Sequence, residues 1–125
     1  VEHLKQWSQF QAVMSCGVVC KTPHFVLHRW NTATASEAAP FVEGRLLLGA
    51  VTPKRWAKRA VTRNLIKRQI YEVSALYAHK LTPTPHIVRL RAEFDKGYFV
   101  SASSLALKKV VRCELTQLFD LMPKP

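Results

Sequence analysis

Apolar positions change their spacing along the chain, and the spacing predicts the elements. Leu4, Trp7, Phe10 and Met14 recur at three- and four-residue steps, which predicts a helix over residues 2–15 closed by Gly17. Phe25 to Trp30 alternates instead. Phe25, Leu27 and Arg29 take one face and Val26, His28 and Trp30 the other, the pattern of a strand. Residues 31–44 are small and polar, contain Pro40 and Gly44, and read as a loop. Arg45 to Thr52 predicts a second strand ended by Pro53, with Gly49 allowing close backbone approach in its interior. Ile66, Ile70, Val73 and Tyr77 form a stripe at helical period and predict the longest helix, over residues 57–79. Pro83 and Pro85 follow it, His86 to Arg91 predicts a third strand, and Asp95 and Gly97 mark a turn. A last helix, capped by Ser103 or Ser104, buries Leu107, Val111, Leu115 and Leu118. The order α-β-β-α-β-α makes residues 1–125 a single α+β domain, an open sheet with helices packed on it and no internal repeat.

Composition sharpens this outline. Hydrophobic residues are 48% of the 125, enough for a packed core, which excludes a wholly disordered basic tail. No apolar run approaches the ~20 residues that cross a bilayer. No signal pattern opens the chain, where Glu2 and Lys5 interrupt the apolar positions. The chain starts at Val1, so its natural first residues are expected to be missing. Three cysteines, an odd number, point to a reducing, cytoplasmic setting. Cys16, Cys20, His24 and His28 repeat at four-residue spacing, which on one unbroken helix would offer zinc two sulfurs and two nitrogens. Gly17 and Pro23 break any such helix, so small buried thiols and no metal site are expected.

Charge changes the picture most. Lys and Arg total 19 against 8 acids, a formal net charge of +11. A field of that size on a small domain attracts polyanions. Nucleic acid is favoured over a membrane surface, because neither terminus carries a lipidation signal. Between Gly44 and Tyr71 lie eight basic residues and no acid: Arg45, Lys54, Arg55, Lys58, Arg59, Arg63, Lys67 and Arg68. A solvated helix face usually mixes signs to gain pairs one turn apart. Arg55, Arg59, Arg63 and Lys67 follow one another at four-residue spacing with nothing to relieve their repulsion, so an external anion is the natural partner. A catalytic site of the protein's own is not expected. Glu93 and Asp95 are the one close pair of acids, in a turn, too few for two-metal phosphodiester cleavage. A helix-turn-helix reader of DNA is disfavoured because Arg45 to Thr52 is too β-like.

The wording of the basic tract is more specific than its charge. Lys54-Arg55, Ala60-Val61, Arg63-Asn64 and Ile66-Lys67-Arg68 resemble the signature of the bacterial ribonuclease P protein subunit family. Ser8 to Met14 is similar to the family's first helix, Phe25 to His28 to its first strand, and Arg45 to Val51 to the strand before the basic pair. The resemblance implies a ribosomal-protein-like α+β fold with a left-handed βαβ crossover, where a general rule would give a right-handed one. It implies an accessory subunit of the endoribonuclease that removes 5′ leaders from precursor tRNA. Catalysis and most of the Mg2+ would then belong to the RNA subunit. Lys54, Arg55, Lys58, Arg59, Arg63, Asn64, Lys67 and Arg68 would contact that RNA. A cleft with Phe10, Met14, Val26 and His28, joined by Trp30 on the same strand face, would hold the single-stranded leader. Stacking there is worth about 1–3 kcal/mol per base. The implied partners are ribonuclease P RNA and precursor tRNA, with no membrane and no small-molecule substrate. Leu65 and Tyr71 stand where the family usually has Arg, and Met14 and His28 where it has aromatics. A general basic RNA-binding module is the alternative. It would bind many RNAs alike and stimulate none.

Overall fold

The computed structural model describes residues 2–31, 44–94 and 105–122. Five strands and three helices follow in chain order: β1 (Glu2–His3), α1 (Trp7–Met14), β2 (Val18–Lys21), β3 (Phe25–Arg29), β4 (Leu47–Val51), α2 (Ala60–Tyr77), β5 (Pro85–Leu90) and α3 (Leu105–Asp120). The strands form one sheet in the order β1-β4-β5-β3-β2. Pairing is parallel between β1, β4 and β5 and antiparallel between β5, β3 and β2. The sheet is therefore mixed and open, and β4, α2 and β5 form a parallel crossover unit.

Alternation divides the sheet's side chains between two cores. Phe25, Leu27, Leu48, Val88 and Leu90 face α2 and α3, where they meet Ile66, Ile70, Val73, Leu107, Val111, Leu115 and Leu118. Both predicted helical stripes lie in this main core. On the opposite face a smaller core holds Leu4, Val13 of α1, Trp30 and Ile87, with Phe10 and Met14 packed against it. α2 and α3 are tied together at their surface. Arg112 donates from Nη1 to Gln69 Oε1 at 3.0 Å and to Glu72 Oε2 at 3.1 Å, and the Tyr77 hydroxyl donates to Asp120 at 2.7 Å.

Several boundaries differ from expectation for local reasons. The first helix is shorter than predicted because Glu2 and His3 pair in parallel with Leu47 and Leu48 as an edge strand. The Gln6 N–H, donating to Gln9 Oε1 at 3.5 Å, marks its actual start. Trp7 is not on its buried face but 62% exposed. Strand β2 was not anticipated at all. The long helix begins at Ala60, not at residue 57, because Trp56 and Ala57 turn back to donate their N–H groups to the Pro53 carbonyl. The loop over 32–43, the turn at Asp95 and Gly97, and the Ser103 or Ser104 cap lie outside the described residues.

Cys16, Cys20, His24 and His28 are held apart by separate partners. Cys16 Sγ donates to the Ala12 carbonyl, and Cys20 Sγ donates to the Leu118 carbonyl at 3.4 Å. Burial pushes the Cys20 thiol pKa up, against a smaller opposing effect of Arg29, which disfavours the thiolate that zinc requires. The His24 ring pairs with Glu114 at 2.7 Å and stacks on Phe94. The same carboxylate accepts from the Thr22 hydroxyl and the His24 N–H, both at 2.7 Å, and so fastens the β2–β3 turn to α3. His28 bonds to Gly17 instead. Among the described residues no three His, Cys, Asp or Glu side chains come together as ligands.

Candidate nucleic-acid interface

The basic tract starts where β4 ends. Pro53 stops the strand, and Trp56 and Ala57 anchor the following turn by packing into or against the main core. With the turn held from below, Lys54, Arg55, Lys58 and Arg59 are all exposed. Arg55 lies over the Trp56 ring, 5.1 Å from its centroid, a cation–π contact that keeps this guanidinium near the turn. Arg63 has a different place. Its Nη1 donates to the Ala57 carbonyl at 3.0 Å and to the Lys58 carbonyl at 2.8 Å, so it closes the turn onto the first turn of α2. Asn64, Lys67 and Arg68 are exposed on the helix beyond it.

No acid occupies the first turn of α2, and its N-cap, Arg59, makes no side-chain cap hydrogen bond. The positive end of the helix dipole therefore adds to the basic side chains instead of being offset. Among the described residues none of the eight predicted RNA contacts pairs with a carboxylate; Arg45 alone of the wider tract does, with Glu2. That pair is solvent-exposed and contributes little.

The two departures from the family pattern are accounted for locally. Leu65 packs partly against the main core. Tyr71 stacks on His3 with centroids 3.7 Å apart, tying β1 to α2. Burial pushes the Tyr71 pKa up, with a backbone hydrogen bond from Ala50 acting the other way.

The second predicted site lies on the opposite face of the sheet. Phe10 and Met14 of α1 are partly exposed and pack with Trp30 in the smaller core. Gly49 makes this possible. A Cβ there would stand 2.5 Å from Phe10 Cε1, so only glycine lets the ring lie on β4. Val26, His28 and Trp30 are buried at 3%, 4% and 6% exposure. They form floor and wall, while the exposed faces belong to Phe10, Met14 and Trp7, a member of the helical stripe not among the predicted cleft residues. Trp7 stacks beside Phe10 with centroids 6.3 Å apart. The signal was present, since positions three apart on a helix are neighbours.

A family model described as ribonuclease P matches residues 1–115 of the chain. The chain belongs to the ribonuclease P protein family. It is 34% identical over 122 residues to the ribonuclease P protein component of Ralstonia pickettii (strain 12J), covering 98% of this chain and 79% of the relative. To that of Paraburkholderia xenovorans (strain LB400) it is 32% identical over 117 residues, covering 94% and 77%. Its fold is similar to the Staphylococcus aureus RNase P protein, with a TM-score of 0.68 at 19% identity over 97% of this chain and 94% of that one. It is similar also to the RNase P protein from Thermotoga maritima, at 0.67 and 18%, covering 98% and 99%. Membership in the ribonuclease P family makes the chain an accessory protein of an endoribonuclease that matures tRNA 5′ ends.

Proposed function

We propose that this protein binds the catalytic RNA of ribonuclease P through Lys54, Arg55, Lys58, Arg59, Asn64, Lys67 and Arg68, and takes the 5′ leader of precursor tRNA in the cleft beside α1. The observation that carries this reading is the uncompensated basic surface at the β4–α2 junction, exposed on a turn that Trp56, Ala57 and Arg63 hold in place. Fixed cations without carboxylate partners lose little on meeting phosphates and release condensed counterions from the RNA. In this reading Arg63 supports the surface from behind. Phe10, Met14 and Trp7 offer apolar and aromatic faces to unpaired bases, over a floor of Val26, His28 and Trp30.

In this reading Mg2+ is held mainly by the RNA subunit. No helix of the described residues is long and apolar enough to cross a membrane. Among the described residues no cysteine forms a disulfide, which fits the reducing cytoplasm of this reading.

The deciding test combines the protein with a bacterial ribonuclease P RNA and a 5′-labelled precursor tRNA at low magnesium, beside lanes with either component alone. Cleavage at the mature 5′ end only in the mixture is the expected result. Equal cleavage with and without folded protein leaves a general basic RNA binder.

A further inference from the structure

The sheet face under α1 has an apolar end and a charged one. Strand pairing places Gly49, Ile87 and His28 in one row across β4, β5 and β3, and Phe10 lies over Gly49. The next row runs Val51, Arg89, Val26 and Lys21 across β4, β5, β3 and β2. Arg89 is thus a partly buried cation on the middle strand of the sheet. Its Nε donates to His28 Nε2 at 3.4 Å. The His28 ring is fixed from its other side, where Nδ1 donates to the Gly17 carbonyl at 2.8 Å. Gly17 can turn that carbonyl toward the sheet because it adopts a φ of +91°, a left-handed conformation suited to glycine.

This arrangement uses one edge of the guanidinium and leaves the other. A histidine that donates from Nδ1 and accepts at Nε2 is neutral, so it orients Arg89 without balancing its charge. Burial lowers the His28 pKa, and Arg89 acts in the same direction against the Gly17 carbonyl, which keeps the ring neutral. Among the described residues no carboxylate pairs with Arg89. A partly desolvated charge beside a neutral partner is unfavourable until an anion reaches it.

We propose that Arg89 binds a phosphodiester of the leader on the cleft floor, with His28 as its positioning residue. This rests on the cleft reading above and adds to it a cation where stacking faces alone were expected. A phosphate suits the site better than a base edge, because its charge answers the deficit and two of its oxygens match the free fork of the guanidinium. Lys21, two strands away in the same row, adds a second cation to that line.

The experiment uses holoenzyme reconstituted with the RNA subunit and two labelled probes, a precursor tRNA with an unpaired leader and the same tRNA without one. The readout is the ratio of their affinities. Arg89→Met is expected to lower that ratio about tenfold, the size of one charge-assisted contact. Arg89→Lys, which keeps the charge but not the fork, is expected to recover part of it. A methylphosphonate at the contacted leader linkage lowers the wild-type ratio and has no further effect on Arg89→Met. His28→Leu lowers the ratio too, and adding it to Arg89→Met costs nothing more, whereas a merely structural role for His28 would add its own loss. Far-UV circular dichroism and affinity for the RNA subunit report folding of each variant. An unchanged ratio in folded Arg89→Met, with a ratio lowered by Phe10→Ala, overturns the Arg89 proposal and leaves the cleft standing. An unchanged ratio in both overturns the cleft as well.

Discussion

The basic turn and the α1 cleft lie on opposite sides of one sheet and achieve binding surfaces in opposite ways. At the β4–α2 junction the charged groups are neighbours in sequence and exposed, and the interior supplies only anchorage through Trp56 and Ala57. In the cleft the groups come from α1, β5 and β3 with the residue beyond it, and its floor of Val26, His28 and Trp30 is buried. The first surface is a local property of the chain; the second exists only when the sheet is complete. A surface of the first kind tolerates loss of single side chains and fails by degrees. One of the second kind is sensitive to packing errors that touch no ligand.

The largest test of this contrast removes charge. Lys54→Ala, Arg55→Ala, Lys67→Ala and Arg68→Ala together are expected to weaken binding to the RNA subunit on the order of a hundredfold. They should also lower the salt dependence by about one unit of slope per residue. Titrations at several salt concentrations measure both, and melting temperature is expected to hold. A lower melting temperature with an unchanged slope would show these residues to be structural.

A comparable free energy lies in the shared core, where acid reaches both surfaces together. His86 on β5 is fully buried and its Nδ1 donates to the Thr84 carbonyl at 2.8 Å. Burial lowers its pKa to about 4, partly opposed by the Thr84 carbonyl and reinforced by Arg29. The unfolded chain takes up that proton at the ordinary value near 6.5, so stability is fully present above it and is lost as pH falls toward 4. The loss is about 3 kcal/mol at most. Chemical denaturation across this range checks it, and His86→Leu is expected to flatten the slope whatever its effect at neutral pH.

Gly49→Ala separates the two surfaces. Its new methyl would collide with Phe10, which must shift, at about 1–3 kcal/mol of stability. Leader discrimination is expected to fall while affinity for the RNA subunit is kept in the folded fraction. Equal loss of both would show that the cleft and the basic turn are not independent.

Arg63→Ala is the smallest and the most diagnostic of the four. Because its Nη1 is engaged with the Ala57 and Lys58 carbonyls, its removal is expected to cost about 1–2 kcal/mol of stability and leave the salt slope nearly unchanged. Lysine is not expected to replace the fork. A slope reduced by a full unit would return Arg63 to the interface.

These differences follow what a linear sequence can express. The stripes of Ile66, Ile70 and Val73 and of Leu107, Val111, Leu115 and Leu118 were legible because a helix repeats its buried face many times. The basic tract was legible because the absence of acids is a local fact. Strand β1 is two residues long and shows no alternation at all. Strand β2 has four residues and a register shift between Val18 and Cys20, which breaks the period of two, although Val18-Val19 after Gly17 was a usable sign. Trp7 fits the stripe of a longer helix, and its exposure follows only from where that helix begins. Arg89 sat plainly on a predicted strand, but its meeting with His28 depends on the antiparallel pairing of β3 with β5, a contact 61 residues apart.

The strand order also sets a schedule for the chain as it is made. The middle strand of the sheet, β5, is the last to be synthesised, and it alone joins the β1–β4 pair to the β3–β2 pair. Until residue 90 has left the ribosome the two halves share no neighbouring strand. The β1–β4 pair that ends in the basic turn and the β3–β2 hairpin that supplies part of the cleft floor then each keep an open edge. Such late, non-local closure slows folding. A nascent chain paused before β5 is expected to stay sensitive to protease, and one paused after α3 has emerged to resist it.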